Sequence, residues 1–540
     1  MVRQVAWPGS FVPEVTVADA IATEARRRRT FAIISHPDAG KTTLTEKLLL
    51  FSGAIAEAGA VGARSGRREV TSDWMELERT RGISITSTVL QFEVDEILFN
   101  LLDTPGHRDF SEDTYRVLSA VDAAVIVIDN AKGIEAQTLK LFQVAQARGI
   151  PLITFVNKCD RPGMAPLEIL DDIERQLGIS ATPVTWPVGN GQAFQGVVDR
   201  RDRTFWEFER TARGSKIGDE RRRILDAGTI GDDEWRQAAA GELELLDEVG
   251  ADHDESTFLA GETTPVFFGS ALWNFGVRLL LEAVGSMAPS PGPRADVEGV
   301  ARPLDAAVSG FIFKIQANLD PRHRDRVAFM RLCSGRFERG MTLTSHRSGR
   351  TLTTKYAHQV FGRDRDTVEV AFPGDIVGLV NATDLLIGDS LSVDGEVQYP
   401  PIPTFAPEFF RVARNLDTSR YKQFRKGITQ LDEEGVIQIL RTADGGDREP
   451  ILAAVGEMQY EVALHRLTNE FGAEVVFEST PWNVARRTDL TGAAVLTEVR
   501  GVEVATRSSG VPVALFTNRH RLEAVERDHP DVLLDPIIAL

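Results

Sequence analysis

Four short apolar runs in the first half of the chain each end on a polar, turn-prone motif, always in the same order. Phe31–Ile34 leads into Ser35-His36-Pro37-Asp38-Ala39-Gly40-Lys41-Thr42. Leu98–Leu102 leads into Asp103-Thr104-Pro105-Gly106-His107. Leu152–Val156 leads into Asn157-Lys158-Cys159-Asp160, and Val266–Phe268 into Gly269-Ser270-Ala271-Leu272. Runs this apolar suit strands buried on both faces of a parallel sheet. Lys41–Leu50 reads as a helix, while Leu90, Phe92 and Val94 alternate with polar residues as in a half-buried strand. The pattern predicts an α/β P-loop domain with a mostly parallel, doubly wound sheet. Such sheets bind ligands at the carboxyl ends of their strands.

Each motif carries a separable piece of chemistry. Ser35–Thr42 follows a strand and opens a helix, the context a phosphate loop requires. Its backbone N–H groups can cradle phosphates, Lys41 can reach the β- and γ-phosphates, and the Thr42 hydroxyl can hold Mg²⁺. Ser35 stands where a glycine is usual, and Gly-Lys-Thr alone arises by chance in about one chain in four of this length. Asp103 at a strand end can hold Mg²⁺ through water, and the Gly106 N–H can sense the γ-phosphate. Asn157 and Asp160 decide the base: the Asp160 carboxylate can accept from both N1–H and the exocyclic amine of guanine. A site that satisfies those donors rejects adenine by roughly 10⁴-fold. Ser270 and Ala271 place backbone N–H groups near the guanine carbonyl. His36 reads as a loop residue and Cys159 as a bystander. The ligands implied are GTP, GDP and Mg²⁺.

Hydrolysis needs a group that orients the attacking water. His107, directly after Gly106, is the catalytic candidate. Ser72–Ile85 is charged, contains Gly82 and precedes a strand. A hydroxyl there could complete the Mg²⁺ shell and release it after hydrolysis; Ser84 is the first choice and Thr86 the second. No arginine finger is evident in cis, so slow intrinsic turnover accelerated by a partner is expected.

The remaining chain divides by composition. Residues 1–29, ending in Arg26–Arg29, read as an exposed arm or short helix. Residues 30–289 form the P-loop GTPase domain, with an inserted subdomain at about 187–262. A proline-rich linker, Ala288–Pro293, precedes short glycine-punctuated strands at 290–400, which suggest an antiparallel β-barrel. Residues 401–540 read as an α+β domain with an amphipathic helix over Glu457–Phe471. The net charge of −18 opposes non-specific coating of nucleic acid. Local basic patches could still dock on RNA: Arg64, Arg67 and Arg68; Arg322, Arg324 and Arg326; and Arg411, Arg414, Arg420, Lys422, Arg425 and Lys426. Two cysteines make no disulfide framework. A cytoplasmic protein with no membrane or DNA partner, monomeric when not bound to its target, is expected.

At this point the motifs resemble those of translational GTPases. Arg81-Gly82-Ile83-Ser84-Ile85 is similar to their first switch, and Asp103–His107 to the motif that carries their catalytic histidine. Within that group, Ser72–Ile85, Gly261–Gly276 and Gly310–Met341 resemble the bacterial class II peptide chain release factors. The resemblance runs from about Phe31 to Ser479. It implies a GTPase that works on ribosomal RNA and protein, stimulated by the ribosome, to eject and recycle class I release factors. Elongation-type factors share the GTPase domain, insertion and barrel, but the stretch after Pro403 has room for about one further domain. A non-ribosomal GTP switch is opposed by the barrel and by His107; an ATP-dependent enzyme is opposed by Asp160.

Overall fold

The computed structural model describes residues 16–55, 87–209, 216, 218, 220–317, 326–361, 364–380 and 382–537. The predicted switch Ser72–Ile85, with Ser84 and Thr86, lies outside the described residues, as do Arg64, Arg67, Arg68, Arg322 and Arg324.

The first sheet has seven strands, in the order Thr88–Val94, Ile97–Asp103, Arg28–Ser35, Ala123–Asp129, Leu152–Asn157, Thr263–Phe268 and Ser180–Pro183. Only the edge strand Thr88–Val94 runs antiparallel to its neighbour. The others pair in parallel, which leaves their carboxyl ends on one rim: Ile33 pairs with Asp103, Asp129 with Asn157, and Phe268 with Val156. Ala123–Asp129 and Leu152–Asn157 are buried at every position, as their unbroken apolar runs require. Helix Lys41–Phe51 buries Leu44 and Leu48 on one face of this sheet.

The insertion begins with strand Thr185–Val188 and holds an antiparallel sheet of four strands, followed by helix Glu234–Glu248. Its inner pair is the hairpin of Gly196–Asp199 with Thr204–Phe208. Next comes an eight-stranded antiparallel sheet, centred on Ser309–Ala317 and Arg326–Ser334. The last part carries a second eight-stranded sheet with helices Tyr421–Glu433 and Met458–Asn469.

The described residues at both ends pack into the fold. Of an exposed arm or a short helix before Thr30, residues 17–26 form the helix. Helix Val17–Arg26 is capped by Thr16, and the first strand starts at Arg28. Arg28 is buried and pairs with Asp375 at 2.9 Å, so its charge is spent on the junction with the barrel. The tail after Pro481 is also integral. Strands Val484–Arg487, Val502–Arg507, Pro512–Phe516 and Asp535–Pro536 make up half of the last sheet.

Charged residues weld the parts together. Arg331, almost fully buried, donates to Asp122 and to Gly374 O, both at 2.6 Å. Arg326 donates to Glu433 at 2.8 Å, from the barrel to the C-terminal domain. Arg411 pairs with Glu457, Arg414 with Glu449 and Glu478, and Arg425 with Asp447. These arginines serve ion pairs within the fold, which weakens them as RNA-docking candidates.

Candidate active site

Gly40 caps helix Lys41–Phe51 with φ of 99°, a left-handed conformation that glycine adopts without strain. A Cβ there would also strike the Asn157 side chain. Ser35, His36, Pro37, Asp38, Gly40, Lys41, Thr42, Thr43, Gly106, His107, Lys158 and Arg161 line one cleft of about 840 Å³ that opens to solvent. The phosphate loop, the Asp103–His107 turn and the start of the base motif therefore converge, as the spacing predicts. Lys41 Nζ lies 3.3 Å from Asp103 Oδ1 and also donates to Thr104 O. Its ammonium thus joins the Ser35–Thr42 loop to the Asp103–His107 turn. Thr104 Oγ1 donates to Ile33 O at 2.7 Å, which pins the turn to the central strand. Ala39 is buried beneath the loop.

Asn157 ties three motifs into one unit. Its amide donates to Ala39 O at 2.8 Å, and its Oδ1 accepts from the N–H of Lys158 and of Ala271, each at 2.8 Å. Asp160 is held by two side chains: Ser270 Oγ at 2.5 Å and Trp273 Nε1 at 3.2 Å. One donor on each oxygen fixes the carboxylate plane. Trp273 is a member of this site that the motif reading passed over, although it stands only three residues after Ser270. Asp129 is another. Lys158, at φ of 68°, reaches Asp38 O and Asp129 Oδ2, the latter at 2.8 Å. Burial pushes the Asp129 carboxyl up, but Lys158 and the Ala131 N–H outweigh it and hold it below its ordinary value. Cys159 is buried, its N–H donates to Gly269 O, and desolvation pushes its thiol up to about 12. It packs; it does not react. His36 is a loop residue, as expected: Nδ1 meets Pro37 O at 2.7 Å and Nε2 meets Glu135 at 3.0 Å.

His107 caps the short helix Arg108–Phe110, with Nδ1 accepting from Asp109 N–H at 3.3 Å. Its side chain is about 30% exposed and reaches the cleft. Gly106 and Pro105 precede it. A Cβ at Gly106 would meet only ordinary contacts at 3.6 Å, and its φ is not positive. The fold itself does not demand glycine there; close approach of a phosphate would.

Among the described residues no group of three or more His, Cys, Asp and Glu side chains could hold a metal alone. Mg²⁺ binds through few protein oxygens and completes its shell with water and substrate phosphates. The Thr42 hydroxyl and the Asp103 carboxylate supply hard oxygen donors of the right kind.

Comparison with known proteins agrees with this arrangement. Residues 26–290 match the family model of the elongation factor Tu GTP binding domain. Residues 307–394 match elongation factor G domain 2, and residues 399–526 match the C-terminal domain of class II release factor RF3. Peptide chain release factor 3 of Synechococcus elongatus is 50% identical over 95% of this chain and 93% of its own. That of Gloeobacter violaceus is 54% identical over 86% of this chain and 88% of its own. A crystal structure from Thermus thermophilus shares the fold, with a TM-score of 0.67 at 24% identity, covering 89% of this chain and 72% of that one. The C-terminal match continues to residue 526, past Ser479, where the motif resemblance ends. With near-complete coverage at about half identity, the chain belongs to the peptide chain release factor 3 family of translational GTPases.

Proposed function

We propose that this protein is a GTP-hydrolysing translation termination factor that acts on the ribosome to release and recycle class I peptide chain release factors. The observation that carries it is the pairing of a guanine-selective P-loop site with a C-terminal domain matched by the release-factor model over residues 399–526. That match favours termination over an elongation-type role, and the domain it describes has no place in a non-ribosomal switch.

The residues divide the work. Backbone N–H groups of Asp38–Thr42 and the Lys41 ammonium bind the phosphates, while Asp160, steadied by Ser270 and Trp273, selects guanine. Ala271 N–H, already engaged by Asn157, fixes the loop that faces the base. Thr42 and Asp103, with Ser84 completing the shell, would hold Mg²⁺, which would supply charge neutralisation at the phosphates. His107 orients the attacking water, and the in-line displacement needs little beyond position and charge. No helix among the described residues is long and apolar enough to cross a membrane. The factor works as a monomer in the cytoplasm, with ribosomal RNA and proteins as partners and no role on DNA.

GTP turnover measured with and without ribosomes, for wild type and His107→Ala, tests this reading. Ribosomes should raise wild-type turnover and fail to raise that of the variant. Absence of stimulation in the wild type overturns the ribosomal role; stimulation retained in the variant overturns only the role of His107.

A further inference from the structure

Asp109, in the histidine turn, bonds directly to the C-terminal domain. Asp109 is buried, with its side chain 5% exposed. Its Oδ2 accepts from the N–H of Met458, at the start of helix Met458–Asn469, at 2.9 Å. Its Oδ1 lies 3.5 Å from His107 Nδ1 and 3.4 Å from Arg108 Nε. Gly456 leaves room for this contact, because a Cβ there would collide with the Asp109 carboxylate. The same junction is fastened by Arg116, which donates to Gly435 O at 3.2 Å, and by the edge-to-face pair Tyr115 and Phe405 at 4.3 Å.

The hydrogen bond at His107 sets its chemistry. Nδ1 accepts the Asp109 N–H, so a neutral ring carries its proton on Nε2. In that tautomer Nε2 can only donate, and it cannot accept a hydrogen bond from an attacking water. The reverse tautomer needs an acceptor for Nδ1–H. Asp109 Oδ1 is the carboxylate oxygen beside it, on a group anchored by Met458.

We propose that Asp109 is a positioning residue for His107, and that its bond to Met458 keeps the histidine in the non-accepting tautomer until the C-terminal domain shifts. Displacement of the domain releases the carboxylate, which turns to accept from Nδ1–H. The proton then sits on Nδ1, and Nε2 presents its lone pair to the water. No bond other than N–H is made or broken, and the exchange of the ring proton proceeds through solvent. This inference rests on the reading of His107 as the water-orienting group.

Three measurements on the full-length chain test it. Nitrogen-15 imidazole spectra of the GDP-bound protein, assigned with His107→Gln, should show His107 protonated on Nε2 alone. A proton on Nδ1, in either the neutral or the cationic ring, overturns the proposal. Asp109→Asn should lower ribosome-stimulated kcat by about 10²-fold with KM for GTP unchanged, because general acid–base alignment is lost while nucleotide contacts remain. An unchanged kcat, or a loss confined to KM, overturns it. Gly456→Ala should push the carboxylate off Met458 and raise ribosome-free turnover by about fivefold or more, as an unfavourable pre-equilibrium is relieved. An unchanged or slower rate overturns the latch. If His107→Ala retains full stimulation, the histidine reading fails first; if that variant is inactive and Asp109→Asn is not, only the role of Asp109 fails.

Discussion

Ser270 Oγ donates to Asp160 Oδ1 at 2.5 Å, joining two motifs 110 residues apart. Under the proposed function, the hydroxyl does not read the base; it aims the carboxylate that would. Asp160→Asn replaces an acceptor by a donor opposite the guanine amine. GTP affinity should fall on the order of 10⁴-fold, while the ATP affinity, weak already, changes little. Ser270→Ala keeps the charge and loses one charge-assisted bond, so a fall of about tenfold is expected. Competition of both nucleotides against a fluorescent GDP reads both effects.

Asn157 has a different part. Its side-chain amide bonds Ala39, Lys158 and Ala271 and touches three motifs at once. Asn157→Ala leaves buried donors and an acceptor without partners, at about 1–3 kcal/mol for each group that water cannot reach. Both nucleotide affinity and thermal stability should fall. Asp160→Asn forfeits only the Trp273 bond at a half-buried side chain, so it should cost less stability, and calorimetry of the two variants separates a framing residue from a reading one.

Much of this site was legible before any coordinates because each motif is short and sits where a buried strand stops. Phe31–Ile34, Leu152–Val156 and Val266–Phe268 are apolar enough that strand and strand end could be read together. Residues that act across motifs escaped. Trp273 serves Asp160 through a ring N–H, and nothing in a lone tryptophan announces which carboxylate it will meet. Arg28 read as solvated because its partner, Asp375, is distant in sequence. The tail beyond Pro481 alternates weakly, and its strands gain their definition from pairing with Gln438–Thr442 and with one another.

Cys159 lies between the two base-reading residues but is buried, and desolvation pushes its thiol up to about 12. Thiolate is the reactive form, so almost none exists near neutral pH. Cys333 is buried too, and burial likewise raises its thiol. Native protein should therefore react with a disulfide reagent far more slowly than the denatured chain, with or without GDP. Rapid modification of Cys159 in the nucleotide-free protein, suppressed by GDP, would show that the base loop opens.

Lys314 reaches from the barrel into the GTPase domain, where its ammonium donates to the Ser87 hydroxyl at 2.7 Å and faces Asp113 at 3.7 Å. Ser87 N–H also donates to Asp113, at 2.7 Å. Burial alone would raise the Asp113 carboxyl, but Lys314, Arg116 and Ser87 outweigh it and hold it below its ordinary value. A depressed carboxylate adds stability that is present above its unfolded pKa and is lost as pH falls through the lower, folded value. Lys314→Met should lower the unfolding free energy at pH 7 by about 3 kcal/mol, since one partner of a buried pair is left uncompensated. Asp113→Asn should also destabilise at pH 7. Its deficit should shrink below about pH 4, where the carboxyl of the unfolded chain begins to take up a proton, and go on shrinking as pH falls through the lower folded value. Chemical denaturation of the three proteins across that range checks the sign. A deficit for Asp113→Asn that grows on acidification would contradict the ionised state assigned to Asp113.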